Sequence, residues 1–221
     1  MRRQLMKVRI MQTNALRGLL AEFGIAMPVG HKQLLKVIQG ELAQAQQDDL
    51  LPADLVVSVQ EQLKRIDALQ HDIDHIAQRL LAMIREDRQM QSIQQIPGVG
   101  DLTASALVAA VGDFSTFNSA RQFASWLGLT PRQVGTGGKT HQLGISKRGD
   151  TYLRTLLIAG ARAVIARSKR SNWVEKLLER RHYNAVVVAL ANKMARTVWA
   201  VLARGKAFDL LKWNPLEQVN A

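Results

Sequence analysis

The residues whose types and spacing could do chemistry are crowded into 135–150, Gly-Thr-Gly-Gly-Lys-Thr-His-Gln-Leu-Gly-Ile-Ser-Lys-Arg-Gly-Asp. Glycines let a backbone approach a phosphate closely, and free N–H groups ahead of a helix bind anions. Lys139, Lys147 and Arg148 add cationic partners, and Ser146 holds a hydroxyl in their positive field. The apolar residues of this stretch show no period, so it reads as a loop opening into a helix at Thr151. A basic surface loop with a helix cap has the same composition, so the surroundings must decide.

Charge is the first of those surroundings. Residues 1–119 carry 12 Lys and Arg against 13 Asp and Glu, a net of −1. Residues 120–221 carry 18 against 5, a net of +13. A half this basic points to a polyanion, most simply nucleic acid. The chain has 221 residues, 47% of them apolar, enough for one or two domains with a core. It has no cysteine, which excludes disulfides and thiolate metal sites. No apolar run is read as approaching the roughly 20 residues of a membrane span, and the basic N-terminus lacks a signal-peptide core. The expectation is a cytoplasmic protein with no membrane contact.

The elements that must position the loop read as helices, with no strand run. Residues 2–23 place Leu5, Val8, Met11, Ala15, Leu19 and Phe23 at helical steps. A shorter helix follows over 31–46. From Ala53 to about Ser92, Val59, Ile66, Ile73 and Leu80 recur every seven residues, and Leu69, Ile76 and Met83 fall three later. That is the seam of a coiled coil or helical hairpin, with homo-oligomerisation as its functional reading, or else one helix of a bundle. Gln95-Ile96-Pro97-Gly98-Val99-Gly100-Asp101, set between helices, resembles a helix-hairpin-helix. Its Gly98 and Gly100 would offer backbone N–H groups to phosphates without reading bases. Helices over 119–127, from Thr151, over 173–181 and over 183–203 complete the chain. Phe123, Trp126 and Leu127 are expected in the core, the last helix is its spine, and a loose tail begins near Asp209. The fold class is all-α.

The order of these pieces carries a resemblance. Asn14-Ala15-Leu16-Arg17-Gly18-Leu19-Leu20, Ile96-Pro97-Gly98-Val99-Gly100, Phe123-Ala124-Ser125-Trp126-Leu127-Gly128-Leu129, Gly144-Ile145-Ser146-Lys147-Arg148-Gly149-Asp150 and Tyr152-Leu153-Arg154 follow one another. Together they resemble the C-terminal part of the Piv-type insertion-sequence transposases, whose members include bridge-RNA-guided recombinases. The resemblance implies DNA transposition or site-specific recombination, with DNA as partner and, in guided members, a structured RNA. It implies a RuvC-like domain whose four acidic residues bind Mg²⁺, then a helical arm, then a domain supplying a serine that links to the DNA backbone. Such a hydroxyl needs a base or metal to activate it, and cations to hold the phosphate.

The sequence departs from that pattern in lacking the acidic domain. Asp67, Asp72 and Asp74 lie on the arm and do not replace it, so no metal site is expected in this chain. The expected organisation is 1–28 as the end of a RuvC-like domain, 29–92 as the arm, 93–208 as the transposase domain and 209–221 as the tail. Strand cleavage by the chain alone is not expected. A non-catalytic nucleic-acid-binding and oligomerisation module is the alternative. Ser146 is the first candidate nucleophile, with Thr136 and Ser125 as alternatives, since serines of some relatives align near Gly135-Thr136. Gly98, Gly100, Arg132, Lys139, Lys147, Arg148 and Arg154 are the candidate nucleic-acid contacts.

Overall fold

The computed structural model describes residues 1–136, 139–167 and 171–213, the side chains of Thr136, Thr140, Arg167, Leu211 and Lys212 excepted. The chain is mostly helical and forms two compact units, Met1–Arg79 and Leu80–Ala221.

The first unit is built by α1 (Arg2–Glu22), α2 (His31–Gln47) and the first part of α3 (Ala53–Glu86). Leu34, Ile38 and Leu42 recur every four residues on α2 and share one apolar cluster with Leu16 and Leu20 of α1 and Val59, Leu63 and Ile66 of α3. Burying one such side chain is worth about 1.5–3 kcal/mol, so this cluster, more than helix propensity, holds the three together. It also occupies the first half of the heptad seam within the chain. The buried stripe of α1 is Thr13, Leu16 and Leu20, rotated from the expected one, while Met11 is 61% exposed. Thr13 can be buried because its hydroxyl donates to the Arg9 carbonyl, 2.8 Å away. The expected arm also stops earlier. Asp87 accepts from the backbone N–H of Gln89 and Met90, at 2.7 and 3.0 Å, and starts a separate helix α4 (Arg88–Gln94).

The second unit adds α5 (Asp101–Val111), a 3₁₀ turn (Phe114–Thr116), α6 (Ala120–Trp126), α7 (Thr151–Arg167), α8 (Asn172–Leu178), α9 (Tyr183–Arg204) and α10 (Leu210–Trp213). The spine is α9, as expected: Val186, Val187, Leu190, Ala191, Met194, Ala195, Val198, Trp199 and Val201 are buried. The Trp199 indole N–H donates to the carbonyls of Phe114 and Phe117, both at 3.2 Å, which lets the ring sit 6% exposed in the core. By length and apolar content α9 could cross a bilayer, contrary to the sequence reading, which its interspersed Asn192, Lys193 and Arg196 obscured. Half of its most apolar window is buried inside the fold.

Three further expectations are corrected. A β-hairpin replaces the loop: β1 (Pro131–Thr136) pairs antiparallel with β2 (Lys139–Ile145). It shows no apolar alternation because it buries no face; Val134 and Leu143 are 42% and 43% exposed. The tail does not begin loose at Asp209, since α10 follows and Trp213 is 5% exposed. Trp126 is not a core residue but 38% exposed, whereas Phe123 and Leu127 are fully buried.

Candidate nucleic-acid interface

The hairpin is held at its base by two interlocked turns. Gly128 and Gly149 have φ of +71° and +86°. A Cβ on Gly128 would lie 2.0 Å from the Arg148 carbonyl oxygen, and one on Gly149 would lie 1.8 Å from that of Trp126. Only glycine permits backbones this close. The Lys147 N–H donates to Gly128 O at 3.2 Å and the Ser146 N–H to Thr130 O at 2.9 Å. Lys147 itself takes φ of +55°, in the left-handed region.

Arg154 binds the two turns to each other. One of its terminal nitrogens donates to the carbonyls of Leu127 and Arg148, each at 3.1 Å, and the other to Thr151 Oγ1, also at 3.1 Å. The residue is 7% exposed. Its expected role as a nucleic-acid contact is therefore corrected: buried and committed to backbone carbonyls, it positions the loop. Nothing in the spacing of Tyr152-Leu153-Arg154 showed which way Arg154 would face.

The three candidate hydroxyls divide between the two ends of the hairpin. Ser146 follows β2, opposite the start of β1, and is half-buried. Its hydroxyl makes no hydrogen bond to a described residue, and the cap of α7 is Asp150, which accepts from Tyr152 N–H and Leu153 N–H at 2.7 and 3.0 Å. Ser125 is exposed at the same end, where Thr130 Oγ1 donates to Ser125 Oγ at 3.4 Å. Thr136 is the last residue of β1, paired with Lys139, five residues from Pro131. At 3.2–3.4 Å per residue that is roughly 17 Å from the base, so Thr136 and Ser146 cannot share one phosphate. Gly137 and Gly138 lie outside the described residues.

Along the ribbon, Arg132 and Lys139 are exposed, as are Lys147 and Arg148 below it. Pairing shifts between Pro131 and Gln133, so that Leu143 and Gly144 together oppose Arg132. Such a bulge increases local twist.

The glycine turn between α4 and α5 faces inward. Gly98, with φ of +87°, would direct a Cβ to 2.8 Å from Met194 Cε and 2.9 Å from the Gly160 carbonyl oxygen. Packing onto α7 and α9 accounts for that glycine. Gly100 is exposed as the N-cap of α5, but Asp101 sets a carboxylate in the first turn, bonded by the Gln94 amide at 2.6 Å. A carboxylate there competes with phosphate for the helix's positive end.

Sequence reasoning missed two arginines. A small pocket of about 270 Å³ at the hairpin base is lined by Arg121, Thr130, Pro131, Gln133, Gln142, Asn192 and Arg196. Asn192 is fixed there by donating to Leu129 O at 3.2 Å. The available signal was the polar stripe on α9, an otherwise apolar helix. Among the described residues no group of three or more His, Asp or Glu could hold a metal.

Residues 90–177, which contain the glycine turn, α6, the hairpin and α7, match the model of the IS116/IS110/IS902 transposase family. That segment is similar to a transposase family. Similarity to individual members extends well beyond it. The chain is 43% identical over 209 residues to a "Probable family 20 transposase" of Pseudomonas aeruginosa, covering 92% of this chain and 61% of that protein. It is 38% identical over 220 residues to the transposase for insertion sequence element IS1111A of Coxiella burnetii, covering 94% and 58%. A pilin gene-inverting protein of Moraxella bovis is 30% identical over 144 residues, 62% of this chain and 44% of that protein. The chain thus spans about three-fifths of the length of the first two relatives. In residues 90–177, the glycines at 98, 128, 149 and 160 are explained by close packing or turn geometry, and the exposed cations are left facing outward.

Proposed function

We propose that this chain supplies the DNA-gripping, nucleophile-bearing part of an insertion-sequence transposase. The observation that carries it is the convergence at the hairpin base. Ser146, whose hydroxyl has no hydrogen-bond partner among the described residues, is bonded through its backbone to Thr130, which lines a pocket with Arg121 and Arg196. A phosphodiester seated against those guanidinium groups would lie one backbone hydrogen bond from the residue that carries the hydroxyl. Attack would form a Ser146 Oγ–phosphorus bond and break one phosphorus–oxygen bond of the strand. The serine proton leaves, and the departing oxygen takes one up. Cations would stabilise the charge on the phosphoryl oxygens. The family's divalent metal would activate the hydroxyl through carboxylates that the described residues do not assemble. Arg132, Lys139 and Arg148 are read as backbone-phosphate contacts, with Gly100 as a backbone donor. A guide RNA would use the same basic surface.

The first test is binding of the purified chain to duplex DNA and structured RNA over a salt series. Salt-sensitive binding is expected, since each neutralised phosphate contributes about −0.9 to the slope of log K against log salt. Absence of binding at low salt refutes the reading. The chemistry is tested in a chimaera placing residues 90–177 in the Pseudomonas aeruginosa relative. S146A should abolish recombination and spare DNA binding, while S125A should retain recombination. Full recombination by S146A removes Ser146 from the role.

A further inference from the structure

A second, larger cavity of about 1600 Å³ lies along α9. It exceeds the roughly 300–1,000 Å³ of small-molecule pockets. Lining residues of α9 run from Asn184 to Arg204, so the groove follows the helix for about 30 Å at 1.5 Å per residue. Its floor is apolar, with Ala185, Val188 and Ala189 among its residues. Among the described residues its cations are Arg121, Lys147, Lys193, Arg196, Arg204 and Lys206, against one carboxylate, Asp209. Trp173 of α8 stands at its wall, 36% exposed.

Lys193 fixes that wall. Its ammonium donates to Trp213 O at 2.7 Å and lies 4.4 Å from the Trp213 ring centre and 5.0 Å from that of Trp173. One tryptophan is therefore buried and the other held in place with part of its surface open to the groove. A duplex buries its base faces and offers only phosphates and groove edges. An unpaired strand offers both phosphates and flat apolar bases, and binds where cations alternate with aromatic surface. The groove presents that combination, and its positive charge favours a polyanion.

We infer that the α9 groove binds an unpaired nucleic-acid strand, with a base stacked on Trp173 and the phosphates on the flanking cations. This rests on the proposed nucleic-acid function and adds to it the strandedness of the ligand. Arg121 and Arg196 line both this groove and the pocket at the hairpin base. A strand in the groove would thus be continuous with a phosphate in the pocket at the hairpin base.

The test uses the full chain with a labelled oligodeoxythymidylate, an oligouridylate and a duplex. Tryptophan emission is followed in the wild type, W173F and W173A, whose thermal melts are compared first. Oligonucleotide binding with quenching that W173F lacks is expected. W173A should bind the unpaired strand roughly 5- to 150-fold more weakly, as loss of one stacked base does, and the duplex unchanged. W173F, which keeps a ring, should bind closer to the wild type than W173A. The two oligonucleotides distinguish DNA from RNA as the source. Equal oligonucleotide binding by wild type and W173A overturns the inference while duplex binding leaves the proposed function standing. Failure to bind any of the three overturns both. Quenching that follows the chain's own concentration and not the oligonucleotide's assigns the groove to a second copy and overturns the inference.

Discussion

The carbonyl oxygen of Gly98 lies 2.0 Å from where a Cβ on Gly160 would stand. The turn between α4 and α5 and the middle of α7 therefore meet backbone to backbone, with Met194 of α9 closing the third side. G160A should destabilise the chain by about 1–3 kcal/mol, the usual range for overpacking a filled site. G98A adds the strain of its positive φ and should cost more. A urea midpoint for G160A equal to the wild type's would show that the contact yields freely.

Arg154 and its neighbours give a second prediction, which separates positioning from binding. R154Q leaves the Leu127 and Arg148 carbonyls short of a donor, at about 1–3 kcal/mol for each one left buried. Stability should fall while the salt slope of DNA binding stays as in the wild type. A slope reduced by about one would instead reveal a phosphate contact.

The opposite pattern is expected for Arg196. Its side chain is exposed where both cavities open, and no hydrogen bond ties it to a described residue. R196A should leave the melting temperature nearly unchanged and lower the salt slope by about one. An unchanged slope would remove Arg196 from the interface.

Burial lowers the pKa of Lys193 below the ordinary lysine value of 10.5. Between the lowered value and 10.5 the unfolded chain binds more protons than the folded one, so stability rises with pH there. Below the lowered value the desolvation penalty is present in full. Melting temperatures of wild type and K193M compared from pH 8 to 11 should therefore converge or cross toward the wild type as pH rises. A difference flat across that range would deny the shift.

The helices were legible because their apolar positions repeat: the stretch from Tyr183 announced a core helix, and α9 is one. The period could not say which of two adjacent stripes on α1 would be buried. Ile10 and Met11 are as apolar as Leu16 and Leu20, and only the partners chose. The hairpin escaped notice for the opposite reason. A ribbon that buries no face needs no alternation, and the Gly137-Gly138 pair flanked by threonine and lysine was the signal to weigh. Ser146 and the cations around it were visible as residue types. The role of Arg154 was not, because an arginine that binds carbonyls and one that binds phosphate look alike in a sequence.

Lys147 sits in a conformation that an L-residue enters at about 1–2 kcal/mol. Glycine would relieve that strain, so K147G is a substitution that selection for thermal stability alone would find. It would also delete the ammonium at the junction of groove and hairpin. A laboratory evolution for heat resistance and one for DNA mobility should therefore part company at this single codon.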